Sequence, residues 1–165
     1  MRKDDDVDLV IDGWAEALPD LDFGPLDVIS RLRRLNPRVQ EMRRQSFAVC
    51  ELAPWEFELL SLLRQHGAEG MTPSVLSTNL AVSSGAVANR VDRLAARGLV
   101  VREHNAADSR SKIVSLTPRG MKRVDTAMRH LVAAEGKLLS GLDPQKISVL
   151  IECLRTISEA LDRRE

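Results

Sequence analysis

The chain has 165 residues, of which 44% are hydrophobic and 29% charged, values typical of one globular domain with a buried core. No apolar run approaches the roughly 18 residues that a membrane span needs, and the acidic start "MRKDDDVDLV" is unlike a secretory signal. Composition therefore argues against a membrane or exported protein, and we expect a cytoplasmic one with no membrane partner.

Charge is distributed unevenly although the net charge is zero. Residues 1–27 contain two basic and nine acidic residues, whereas residues 81–120 contain seven basic and three acidic ones. A basic segment in a neutral protein indicates an anionic partner near it, and solvated charge on a helix is the alternative.

The amino-terminal part is predicted to form two helices. Apolar residues with a helical period indicate an amphipathic helix over residues 7–18, which Pro19 ends. A second helix is predicted over residues 25–51, with a kink or break at Asn36-Pro37, because proline removes a backbone donor and crowds the preceding turn.

Three further helices are predicted in the middle of the chain. The first extends from Pro54 to Gly67, and the second, over residues 73–80, begins with the capping pair Thr72-Pro73. The turn "AVSS" then leads into a helix over residues 84–97. Gly98 ends this helix.

A β-hairpin follows these helices. "LVVRE" and "KIVSL" are β-branched alternating runs, and the polar residues 104–111 between them predict a long exposed tip. Three helices followed by a hairpin predict a winged helix-turn-helix, a mainly α fold with a small β-hairpin wing.

Two long helices are predicted to complete the chain, the first capped by Thr117-Pro118 and the second following "GLDP". Their apolar stripes, over residues 124–138 and 147–161, exceed what a domain of this size can cover by itself and indicate a homodimer. We expect amino-terminal helices over residues 1–53, a DNA-binding lobe over residues 54–117 and dimerisation helices over residues 118–165.

The helix over residues 84–97 has the size and polarity of a recognition helix for the DNA major groove. Its amino-terminal hydroxyls suit phosphate oxygens, its glycine allows close backbone approach, and its amide and guanidinium groups suit base edges. These candidates are Ser83, Ser84, Gly85, Asn89, Arg90 and Arg93. Taken one by one, a serine that only caps the helix and arginines that are only solvated are the simpler interpretations.

The predicted wing carries Asp108, Ser109 and Arg110 at its tip. An arginine there can enter the narrow, electronegative minor groove, and the neighbouring carboxylate can fix its direction. Alone, the three residues are weak evidence for a DNA-binding wing, but their place between these two strands makes that evidence strong.

"SSGAVANRVDRLAARGLV", the wing sequence "ADSRS" and "VSLTPRG" together resemble the MarR family of bacterial transcription regulators across essentially the whole chain. The resemblance implies an obligate homodimer with interleaved terminal helices. It implies a repressor that binds a pseudo-palindromic operator in double-stranded DNA and responds to a small-molecule effector.

Trp14 on the first helix and the later "PWEFELL" are similar to the urate-responsive, PecS-like branch of that family. This resemblance implies a ligand site formed by Trp14, Glu58, Arg90 and Arg102. The branch has aspartate where this chain has Glu58, and the extra methylene moves the carboxylate. The alternatives are that Trp14 is a packing residue, and that the protein is an effector-independent architectural or protein-interaction winged helix.

Other chemistries lack support in the sequence. His66, His104 and His130 do not have metal-ligand spacing, and no nucleophile or nucleotide motif occurs, so we expect no enzyme, cofactor or metal. Cys50 and Cys153 are expected to be buried as small hydrophobic residues, with oxidant sensing as the alternative.

Overall fold

The computed structural model describes the backbone of residues 5–105 and 108–163 and the side chains of residues 5–104 and 112–163. The fold is mainly helical with one antiparallel two-stranded sheet, which confirms the predicted class. The elements are α1 Asp6–Ala17, α2 Gly24–Ala48, α3 Pro54–His66, α4 Pro73–Leu80, α5 Ser84–Ala96, β1 Val100–Asn105, β2 Asp108–Leu116, α6 Pro118–Leu139 and α7 Pro144–Asp162.

The chain divides into two compact units, Met1–Gln45 and Ser46–Glu165. The first contains α1 and most of α2, which are held together by charge. The Arg31 guanidinium pairs with Asp5, with Asp8 at 2.6 Å and with Asp27 at 2.7 Å. The acidity of the amino-terminal residues is therefore used partly to neutralise arginines of α2.

Helix α2 passes through Asn36-Pro37 without interruption, so the break predicted there does not occur. Proline removes one backbone hydrogen bond, but both residues lie on the exposed side of a long helix. Water can satisfy the carbonyl that the missing N–H leaves free.

The second unit has a closed apolar core. Phe47 and Phe57 stack with ring centroids 4.0 Å apart, joining the last turn of α2 to α3. Side chains from α3, α4, α5, α6 and the hairpin are almost fully buried in this core: Leu59, Leu60, Leu63, Leu76, Val87, Val91, Leu94, Leu99, Val100, Val114 and Val124. This core fixes α5 and the hairpin relative to α3.

The helix-turn-helix and the wing have well-defined boundaries. The Ser83 hydroxyl caps α5 by accepting from the Ala86 amide, and Ala81 makes the turn with a left-handed backbone. β1 and β2 are longer than the sequence predicted, because Asn105 still pairs with Asp108. Met71 adds a short bridge to β2 through two hydrogen bonds of 2.9 Å with Val114.

The start of α6 explains the motif "LTPRG". The Thr117 hydroxyl accepts from the Gly120 amide and donates to the Gly98 carbonyl at 2.8 Å, which joins the end of α5 to α6. A Cβ on Gly120 would lie 1.9 Å from the Leu99 carbonyl oxygen, so only glycine fits there.

Helix α7 has no buried residue among those the structure describes. The side chains of its apolar stripe, including Leu150, Ile151 and Leu154, stay substantially exposed within one chain. Cys153 is exposed as well, which corrects the prediction that both thiols are buried; only Cys50 is. None of the described helices is long and apolar enough to cross a membrane.

Candidate nucleic-acid interface

Helix α5 presents two chemically different faces. Val87, Val91 and Leu94 point into the core and are completely buried. Ser83, Ser84, Gly85, Asn89 and Arg93 are exposed, and Arg90 is partly exposed. The structure thus places the six predicted α5 residues together on the polar side of one helix.

Arg97, at the end of α5, is fully engaged in holding the fold. Its Nη1 donates to both carboxylate oxygens of the buried Glu56 at 2.7 Å, and its Nη2 donates to the Glu51 carbonyl at 2.7 Å. The Glu56 carboxylate also accepts from the Ala53 amide, which caps α3. Sequence reasoning missed Glu56, whose acidic type gave no sign of its 5% exposure.

Arg102 is engaged too. Its Nη1 lies 2.6 Å from an Asp92 carboxylate oxygen, and its Nη2 donates to the Ala88 carbonyl at 3.1 Å. Asp92 and Ala88 belong to α5, so Arg102 connects β1 to α5.

Arg90 and Arg93 differ from these two arginines. Their guanidinium carbons lie 5.6 Å and 5.0 Å from the ring centroid of Trp55, the second residue of α3. Within the described part of the chain, neither has a carboxylate or carbonyl partner. Each keeps its charge and its N–H donors for another molecule.

The predicted wing residues Asp108, Ser109 and Arg110 lie on β2. Their side chains fall outside the described residues. The backbone places them next to the turn of the hairpin.

The predicted ligand residues lie in both units. Trp14 is on α1 and is half-exposed, beside a shallow cavity of about 410 Å³ lined by Leu9, Val10, Gly13 and Ala17. Glu58 is exposed on α3, and no ion pair joins it to another residue with a described side chain. The contacts of Arg90 and Arg102 are with Trp55 and Asp92 instead.

The two cysteines have different environments. Burial raises the pKa of the Cys50 thiol, and the nearby Arg123 guanidinium offsets only part of that effect. Since the thiolate is the reactive form, Cys50 is poorly placed for oxidant sensing. In the part of the chain with described side chains, no group of histidines, cysteines and carboxylates could hold a metal ion.

Known proteins are similar to this chain in sequence and in fold. Residues 52–111 match the model of the MarR family. The HTH-type transcriptional regulator PecS of Dickeya dadantii (strain 3937) is 27% identical over 157 residues, which cover 94% of this chain and 95% of PecS.

Solved structures with this fold include a mutant of MarR from E. coli complexed with operator DNA. It has a TM-score of 0.65 and 22% identity, covering 87% of this chain and 96% of that one. CouR from Rhodococcus jostii RHA1 bound to p-coumaroyl-CoA has a TM-score of 0.65 and 24% identity, covering 79% and 91%. At these identities the likeness establishes the fold alone. Residues 52–111 thus form a MarR family domain, and the homologues of the chain, PecS among them, are MarR-type transcriptional regulators and not enzymes.

Proposed function

We propose that this protein is a transcriptional repressor that binds a pseudo-palindromic operator in double-stranded DNA as a homodimer and is released by a small anionic or aromatic effector. The observation that carries the proposal is the pair of arginines on α5, Arg90 and Arg93. They have no acidic partner among the described side chains, while Arg97 and Arg102 beside them do.

DNA recognition is assigned to the polar face of α5 in the major groove. Asn89 and Arg90 are placed to donate to base edges, and Arg93 to a phosphate or a base. The capped amino terminus at Ser83, Ser84 and Gly85 is suited to a phosphate. Arg110, with Asp108 and Ser109 beside it, would reach the neighbouring minor groove.

Dimerisation is assigned to the helices that flank the winged helix. The exposed apolar stripe of α7 supports this, because a monomer would leave it in water. In this proposal residues 1–53 form the amino-terminal helices, residues 54–117 the DNA-binding lobe and residues 118–165 the dimerisation helices. Two-fold symmetry would space the two recognition helices by about 34 Å, one turn of DNA.

Effector binding is assigned to Trp14, Glu58, Arg90 and Arg102. The half-exposed indole of Trp14 offers a face on which a planar group can stack, and an anion such as urate could compete with Asp92 for the Arg102 guanidinium. Loss of the Arg102–Asp92 ion pair would free the wing from α5. The effector would then lower the affinity for DNA, and by linkage DNA would lower the affinity for the effector equally. CouR, with its aromatic acyl-CoA ligand, supports an anionic effector for this fold.

The DNA-binding part is tested by selecting duplexes from a random pool and measuring their affinity over a range of salt concentrations. Arg93→Ala should weaken binding and flatten its salt dependence if Arg93 meets phosphate, while Asn89→Ala or Arg90→Ala should relax sequence preference. Arg110→Ala should cost about 1–3 kcal/mol of binding free energy. Arg129→Ala on the exposed side of α6 removes the same charge and should change little.

The effector part is tested by titrating urate, xanthine and a simple phenolic acid against the selected protein–DNA complex. Trp14→Ala should blunt release while DNA binding persists, and Glu58→Asp should strengthen the urate response. If none of these compounds releases the DNA, the urate-type effector site fails, and an effector-independent architectural or protein-interaction winged helix becomes the second candidate function. If no duplex is selected, the repressor proposal fails altogether.

A further inference from the structure

We propose that Trp55 is a positioning residue for DNA recognition, whose indole face holds the Arg90 and Arg93 guanidinium groups while their N–H edges stay free for DNA. The inference rests on the proposed function. It adds a residue of α3, outside the recognition helix, to the determinants of specificity.

The position of Trp55 makes this possible. Arg90 and Arg93 are three residues apart on α5, so their side chains leave the helix on the same side. Trp55 follows Pro54 at the start of α3, and its ring is partly buried against the core. A ring fixed by the core can orient two long, flexible side chains.

The geometry fits an electrostatic contact rather than simple proximity. Both guanidinium carbons lie within the roughly 6 Å of a ring centroid over which the negative face of an aromatic ring attracts a cation. Both positive charges lie against one indole ring, and its attraction for each of them offsets part of their mutual repulsion.

A guanidinium held against an aromatic ring remains able to bind. The ring attracts the positive charge of the group and does not pair its five N–H donors with a carboxylate or carbonyl oxygen. Carboxylate pairing, as at Arg97 and Arg102, occupies those donors instead. Trp55 can therefore restrain Arg90 and Arg93 before DNA arrives without using the donors that DNA needs, which lowers the entropy lost on binding.

The contact can be tested by replacing tryptophan biosynthetically with mono-, di- and trifluorotryptophan, which withdraws electron density from the ring face with little change in shape. The chain has only two tryptophans, Trp14 and Trp55. The Trp55→Phe protein, in which fluorine can enter only at Trp14, is the matched control. The measurements are the affinities for a selected duplex and for a scrambled one, together with the melting temperature.

We expect the affinity for the selected duplex to fall about twofold with each fluorine, and the preference over the scrambled duplex to fall with it. The control should show no such trend, and the melting temperature should stay constant. Trp55→Leu, which keeps an apolar side chain, should lose about tenfold in affinity, and adding Arg93→Ala to it should cost less than in the native chain.

An affinity independent of fluorination, or a full additive loss in the double variant, would overturn the inference and leave Trp55 as a packing residue. In that case the native protein would still bind its duplex, and the proposed function would stand. If the native protein itself selects no duplex, the proposed function fails and this inference fails with it.

Discussion

Helices α5 and α7 both carry an apolar stripe, but they bury it to opposite extents. Val87, Val91 and Leu94 on α5 are 0% exposed, whereas Leu150 and Leu154 on α7 are each 41% exposed. Hydrophobic stabilisation is proportional to the apolar area removed from water. The winged helix is therefore stabilised within one chain, and α7 gains comparable stabilisation only from a partner.

The sharpest test of this difference is a matched pair of leucine truncations. Leu94→Ala should lower the free energy of unfolding by about 3 kcal/mol, because it leaves a cavity in a closed core. Leu154→Ala should change it little in dilute protein and more in concentrated protein. Urea denaturation at several protein concentrations measures both, and equal losses at every concentration would contradict the comparison.

A charge placed on the apolar stripe of α7 should weaken dimerisation. Leu154→Glu should weaken dimerisation about a hundredfold, since it places a carboxylate in an apolar interface. Thr156→Glu adds the same charge on the other side of α7 and serves as the control. Sedimentation equilibrium gives both dissociation constants, and identical values would remove α7 from the interface.

Two glycines of α6 differ in the same way, since one is tightly packed against backbone and the other borders open space. Gly120→Ala should cost about 2 kcal/mol, because the new methyl group would meet the Leu99 carbonyl and overpack the junction. A Cβ on Gly136 meets nothing within 4 Å, so Gly136→Ala should instead stabilise the helix by about 0.5–1 kcal/mol. Thermal unfolding of the two variants should shift in opposite directions.

The smallest expected effect concerns thiol reactivity. Cys153 is exposed on α7, whereas Cys50 is buried and has a raised pKa. An alkylating reagent at neutral pH should therefore modify Cys153 much faster than Cys50. Raising the pH should accelerate the alkylation of Cys50 only above the ordinary thiol pKa, because burial disfavours its thiolate. Mass spectrometry of labelled peptides, with Cys153→Ser as the control, would reveal the opposite order if it occurred.

The helices and the wing could be predicted because their boundaries are local chemistry. Thr72-Pro73 and Thr117-Pro118 cap α4 and α6 as predicted, since a hydroxyl and a proline act on their own turn. The polar face of α5 follows from helical period alone. Of the kink or break predicted at Asn36-Pro37, the break does not occur, because an exposed helix tolerates one missing hydrogen bond.

The contacts that decide which arginines have an acidic partner could not be predicted. Arg97 meets Glu56 from 41 residues away, and Trp55 meets Arg90 and Arg93 from another element. Sequence periodicity identifies the outward face of a helix, but it does not reveal which charges on that face are already neutralised. That distinction depends on the packing of α3 against α5.

The junction at Thr117 couples the orientation of α6 to that of α5. The Thr117 amide and hydroxyl bond to the Leu99 and Gly98 carbonyls, so the start of α6 turns with the end of α5. α6 has 22 residues and is about 33 Å long. A tilt of α6 by about 5° at its first turn therefore moves its far end by about 3 Å. The exposed Leu138 lies at that far end. A small rotation of α5 is thus amplified to a displacement of several ångströms at the far end of α6.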